Sequence, residues 1–160
     1  MNLYDKLNES SILVPLKSSN KLEAIQELLY HLQTLDILSK TNKLFNSIVQ
    51  KEEKLPSAAG RGIAYPNFIS IEIDGLVCVL GISEEGLDFN SPDGQLCHLI
   101  LLTLSSEDEP CEHRKFITRF RTMFKNPKIR YSLIEAKTSQ EIVEIIRDWE
   151  EEEAKMDDLN

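Results

Sequence analysis

Cysteine is scarce in this sequence and poorly placed for cross-linking. Cys78, Cys97 and Cys111 are odd in number and lack close metal-type spacing, which argues against a disulfide framework or a zinc site. Long apolar runs are also missing, and no stretch approaches the length needed to cross a bilayer. The opening MNLYDKLNESS has no basic segment leading into an apolar one, so a cytoplasmic, soluble and unexported protein is expected. Positive charge is in deficit: 18 Lys and Arg stand against 27 Asp and Glu, a net charge of −9. That balance argues against general binding to nucleic acid or anionic membranes and leaves proteins as the expected partners. No Gly-Lys-Ser/Thr follows the glycines, so a Walker-type phosphate loop is excluded. There is no internal repeat, no metal site is indicated and no cofactor is called for.

What is present is enough for one core. The chain has 160 residues, 41% of them hydrophobic, which fits a single domain. Residues Ile12 to Leu16 form a short apolar run that suits a first strand. From Asn20 the period becomes helical: Asn20 and Glu23 are spaced as a capping pair, and Leu22, Ile25, Leu28, Leu29, Leu32 and Leu35 mark one face. A second helix is predicted from about Thr41 to Lys54, with Leu44, Phe45, Ile48 and Val49 turned inward. Extended patterns follow over Phe68 to Ile73 and Leu76 to Ile82, with Asp74-Gly75 between them as a hairpin signal. Gly86 to Phe89 reads as a short strand, and Leu96 to Leu104 as the most hydrophobic strand, expected at the sheet centre. A helix from Cys111 would bury Phe116, Ile117, Phe120, Met123 and Phe124, and Asn126-Pro127 breaks it. A shorter helix from Lys128 to Ala136 follows. Thr138-Ser139-Gln140-Glu141 is a capping box that opens a last helix carrying Ile142, Val143, Ile145, Ile146 and Trp149. The domain is expected to span residues 1–150, and the acidic tail over 151–160 to fray. Helices, then strands, then helices argue for a three-layer α/β fold with a mixed sheet.

The stretch that interrupts this periodicity is Lys51 to Phe68, KEEKLPSAAGRGIAYPNF. Gly60 and Gly62 flank Arg61, so the backbone there can adopt positive φ and come close to a ligand or another strand. A small-residue loop with polar side chains, set between helices and strands, is the usual construction of a functional loop.

This stretch resembles the signature of the type-2 enzyme IIA domains (mannitol, fructose and nitrogen-regulatory branch) of the bacterial phosphoenolpyruvate-dependent phosphotransferase system. Lys51-Glu52 stands for the family's Arg-Glu, Pro56-Ser57 for its Ser-Thr, and Gly62-Ile63-Ala64-Tyr65-Pro66-Asn67 for its Gly-Ile-Ala-x-Pro-His. The resemblance covers roughly Leu3 to Trp149 and implies the enzyme IIA mannitol/fructose-type fold, a mixed sheet flanked by helices. It also implies a phosphocarrier function: active relatives take a phosphoryl group from the histidine of an HPr-type protein, then pass it on or use it as a regulatory mark. In this sequence the phosphoacceptor position falls on Asn67. An imidazole nitrogen can accept phosphorus, whereas an amide nitrogen has its lone pair tied up in resonance and is no nucleophile near neutral pH.

The resemblance further places His113 where the family keeps its second histidine; on composition alone it is a surface histidine with no task. Lys51, Ser57 and Arg61 are candidates for an anion pocket, against the plain alternative of solvated loop side chains. His31 and His98 read as packed or edge residues rather than ligands. Arg114, Lys115, Arg119, Arg121, Lys125, Lys128 and Arg130 concentrate positive charge, either as a solvated helix face or as a docking surface for an acidic partner. The expectation is a regulatory protein of the nitrogen-regulatory type that binds an HPr-type phosphocarrier or a target protein and cannot carry phosphate at Asn67. The alternative is a working phosphocarrier that uses His113.

Overall fold

The structure, a computed structural model, describes residues 2–159. Two apolar clusters, one on each face of a six-stranded mixed sheet, organise the chain. The strands are β1 (Ile12–Leu13), β2 (Ala58–Gly60), β3 (Ile63–Ala64), β4 (Asn67–Ile69), β5 (Leu76–Leu87) and β6 (Cys97–Ser105). Their order is β1-β5-β6-β3-β2, with β4 also paired to β6. The expected three-layer α/β arrangement is therefore found, and the strand with the longest apolar run, β6, is central.

Alternation along β5 shows how the layers are fed. Leu76, Cys78, Leu80 and Ile82 enter one cluster, Val77 and Val79 the other. The first face is covered by α3 (Pro110–Phe124), α4 (Pro127–Glu135) and α5 (Ser139–Leu159), through Phe116, Phe120, Met123, Leu133, Ile142, Ile146 and Trp149. The second is covered by α1 (Lys21–Thr34) and α2 (Asn42–Lys54), through Ala24, Ile25, Leu28, Leu29, Leu32, Leu44 and Ile48. Asn20 caps α1 by accepting from the Glu23 amide at 2.9 Å, and Thr138 Oγ1 accepts from the Glu141 amide at 3.1 Å ahead of α5. Leu22, expected on the inward face of α1, is exposed: it shares a face with buried Leu29 but sits in the first turn of the helix, ahead of the buried stretch that begins at Ala24.

Three local expectations need correction. The extended run from Phe68 to Ile73 pairs only over Asn67–Ile69, and Asp74-Gly75 does not close a two-residue hairpin. A hairpin would need β4 and β5 side by side, yet β6 lies between them, parallel to β4 and antiparallel to β5. The connection instead arcs over the end of β6, where Ser70 N donates to Ser105 O and Ser106 N to Gly75 O, both at 2.9 Å. The short strand expected at Gly86 is the end of β5, which runs on past a register shift. The acidic segment after Trp149, expected to fray, is helical to Leu159: Glu, Ala, Lys and Met are good helix formers, and Glu152 and Lys155 pair at 3.7 Å. Glu150, at the start of that segment, is buried and accepts from the amides of Leu3 and Tyr4 at 2.8 and 3.1 Å and from Arg119 Nε at 2.7 Å.

Candidate functional site

Two short strands lie in line along one edge of β6. Ile63 and Ala64 of β3 match Leu99 and Ile100, and Asn67 to Ile69 of β4 match Thr103 to Ser105. Between them Pro66 offers no N–H to the ladder, so pairing lapses there, while its carbonyl still accepts from Thr103 N at 3.1 Å. The register is the same on both sides of that interruption, and it sets Asn67 beside Thr103, the polar side chain of the otherwise apolar run Leu99–Leu104.

Asn67 is held at both ends of its carboxamide. Lys51 Nζ, in the last turn of α2, donates to Asn67 Oδ1 at 2.5 Å, and Asn67 Nδ2 donates to the Tyr65 carbonyl at 2.9 Å. An ammonium can only donate and a carbonyl can only accept, so these partners fix which way the amide points. Across the register, Thr103 Oγ1 lies 2.9 Å from Nε2 of His113, in the first turn of α3. Burial, and after it the positive field of Lys51, hold the His113 imidazole below its ordinary range, so the ring is neutral at physiological pH. Lys51, Asn67, Thr103 and His113 thus form one chain of contacts that joins the end of α2 to the start of α3 through β4 and β6.

Beside this chain opens a cavity of about 290 Å³, lined by Lys51, Glu52, Ser57, Tyr65, Asn67 and Arg121 among others. Ser57 turns into it but is engaged: its amide and its hydroxyl both donate to buried Glu52 Oε1 at 3.0 Å. Arg121 lies 4.9 Å above the Tyr65 ring centroid. Burial pushes the Tyr65 phenol up to about 12, against the opposing pull of Arg121, so it stays protonated. Arg61 is not part of this cavity. Its backbone is in the left-handed region (φ 59°) and its amide donates to Asp93 Oδ2 at 2.8 Å, which turns the residue towards a neighbouring hollow. Arg121 supplies the second cation instead.

Arg121 and Glu52 of the cavity, and Thr103 beside it, are not assigned to the site by sequence alone. Thr103 does leave a mark, as a polar residue inside Leu99–Leu104, and Glu52 as the neighbour of Lys51. Arg121 leaves none, since seven bases crowd residues 114–130 and only packing separates them. Arg119 is spent on Glu150 and on the Trp149 ring, and Arg130 on the Phe124 carbonyl. His31 lies at the rim of α1 with Nε2 2.6 Å from Ser10 O, and His98 Nδ1 is 2.9 Å from Ser83 O, so both histidines are tied to backbone. Among the described residues no three His, Cys, Asp or Glu side chains converge as a metal ion would need, and no helix is long and apolar enough to cross a membrane.

Comparison with known proteins gives this geometry a context. The chain is 27% identical over 146 residues to the fructose-specific EIIABC component of Bacillus subtilis, a match covering 91% of this chain and 23% of that protein, so the chain spans about a quarter of that relative's length. It is 24% identical over 147 residues to the nitrogen regulatory protein of Bradyrhizobium diazoefficiens, covering 91% of this chain and 95% of that one. Its fold matches the nitrogen regulatory protein IIA-Ntr of Neisseria meningitidis with a TM-score of 0.80 at 22% identity, over 89% and 97% of the two chains. It also matches Escherichia coli IIA mannitol, in that protein's complex with phosphorylated IIB, with a TM-score of 0.75 at 19% identity, over 89% and 98%. The family model described as "Phosphoenolpyruvate-dependent sugar phosphotransferase system, EIIA 2" matches residues 5–149, and the chain belongs to that family.

Proposed function

We propose that this EIIA 2-family protein is of the nitrogen-regulatory type, acts in regulation by binding other proteins, and does not carry a phosphoryl group at Asn67, which occupies the phosphoacceptor position. The supporting observation is the state of Asn67 itself. Its oxygen is taken by Lys51 and its nitrogen by the Tyr65 carbonyl, and that nitrogen has no free lone pair to attack phosphorus. The carboxamide keeps the local geometry ordered while removing the nucleophile. Its partners are an HPr-type phosphocarrier or a regulatory target protein; for a structural relative, mannitol IIA, the partner is phosphorylated IIB.

One observation favours a second reading, an active phosphocarrier. His113 is held neutral, the form of imidazole that can attack, and it stands one hydrogen bond from Thr103. A reconstituted reaction separates the two. With phosphoenolpyruvate, enzyme I and HPr, the wild type should gain no acid-labile phosphoryl mass, and Asn67→His should gain one. A label on the wild type that disappears in His113→Ala would establish the second reading.

A further inference from the structure

The outer face of α3 carries a hollow of about 370 Å³, lined by Arg114, Lys115, Thr118, Arg119 and Thr122 and by α3 alone. Thr118 and Thr122, one turn apart, put short side chains in line, and the three bases stand around them. Arg114 and Lys115 are exposed and belong to no ion pair among the described residues, whereas Arg119 reaches Glu150 at 2.7 Å and the Trp149 ring. Through that contact α5 touches the edge of the hollow, yet it supplies no wall. From there α5 runs on as a helix to Leu159, beyond the residues 5–149 that the family model matches. This extension, Glu150 to Leu159, has six acids and one base, Lys155. Asp157 and Asp158 stand in its last turn with no base there, where the negative end of the helix dipole repels them. The Glu152–Lys155 pair is mostly exposed and offsets little of this. Glu153 and Asp157 lie on one side of the extension next to Met156 and Leu159, which are 62% and 87% exposed.

We propose that the hollow on α3 receives the end of α5 from a second copy of this chain, so that two copies form a two-fold dimer through two identical contacts. Charge complementarity selects this occupant: one face presents bases and no acid, and one helix presents acids that its own chain does not neutralise. The lengths agree as well, since Arg114 to Thr122 and Glu151 to Leu159 each span about 12 Å at the helical rise of about 1.5 Å per residue. The two elements meet at the Arg119–Glu150 pair, so they lie side by side on one face of the molecule. A two-fold rotation sets each on its opposite in the other copy, and the contact closes instead of propagating. Within one copy the same encounter is barred, because a continuous helix cannot turn back onto α3. The short Thr118 and Thr122 side chains leave room between the bases for Met156 and Leu159, which otherwise stay in water. This association does not depend on what Asn67 accepts.

Analytical ultracentrifugation of the full chain at up to about 100 μM, where contacts of micromolar affinity are populated, tests it. The wild type should sediment as a dimer at about 0.1 M salt and dissociate about tenfold more readily at about 1 M, where the screening length falls from about 10 Å to about 3 Å. Arg114→Glu with Lys115→Glu, and separately Glu153→Lys with Asp157→Lys, should each weaken the dimer about tenfold or more, since like charges then face each other. Mixed in equal amounts, the two charge-reversed chains should restore it, because each then meets its opposite; chains that had merely misfolded would not be rescued. A wild type that is monomeric throughout overturns the inference, and so does a dimer unmoved by salt or by either double variant. Charge-reversed chains that keep the wild-type circular dichroism, yet stay monomeric when mixed, overturn the reciprocal contact.

Discussion

Truncating Glu150 to alanine removes a carboxylate that is 2% exposed and accepts from three separate donors: the Leu3 amide, the Tyr4 amide and Arg119 Nε. The Leu3 amide is fully enclosed and would lose its acceptor, at about 1–3 kcal/mol. Breaking a fully buried ion pair costs about 3–5 kcal/mol, but the Arg119 side chain is 30% exposed and can recover water, so only part of that applies. The Tyr4 amide is part-buried and adds less. A total near 3 kcal/mol follows, which for a chain of this size lowers the melting temperature by about 6–12 °C. Glu152→Ala is the control, because its pair with Lys155 is 72–73% exposed and is worth no more than about 0.5 kcal/mol. Urea unfolding of both variants, with m-values compared, measures the difference. A loss below about 1 kcal/mol in Glu150→Ala, or one matching Glu152→Ala, would refute the argument that this carboxylate ties the amino-terminal turn to α3 and α5.

Two further outcomes depend on the site and the sheet. Because the imidazole of His113 is held below 6.5, the folded chain binds that proton less readily than the unfolded one; protonation therefore costs stability as pH falls below 6.5 and costs nothing above it. Lys51→Met should move the His113 midpoint part of the way back up, burial being the larger cause, and an NMR titration in which it stays or falls would contradict this. Gly86 has φ of +86°, and an added Cβ would meet Leu96 Cβ at 2.7 Å, so Gly86→Ala should destabilise by about 1–3 kcal/mol in urea unfolding; an unchanged midpoint would refute it.

Helix periodicity carried most of the layer structure in the sequence. Phe116, Phe120, Met123 and Phe124 recur at helical spacing because the same face must meet the sheet at every turn, and they are buried as that spacing requires. What local pattern could not carry was which strands become neighbours. Asp74-Gly75 has the residues of a tight turn, but turn chemistry acts over four residues, whereas the pairing of β4 with β6 is decided across more than thirty positions of chain. The same limit governed the cavity. Lys51, Ser57 and Asn67 lie within one segment and were legible together, while Arg121 arrives from α3 through packing against Tyr65.

That division also explains why an amide at position 67 need not dismantle the site. A neutral imidazole presents one donor and one acceptor, and so, in effect, does this carboxamide, with Lys51 on the accepting side and the Tyr65 carbonyl on the donating side. No buried polar side-chain atom among the described residues is left without a partner, so the fold bears no penalty at this position that would push Lys51 or Tyr65 elsewhere. The contacts that shape the cavity are indifferent to whether the group can attack phosphorus. On the proposed reading, in which Asn67 stands where an imidazole would, nucleophilicity alone differs, so that reading separates binding from transfer at a single residue.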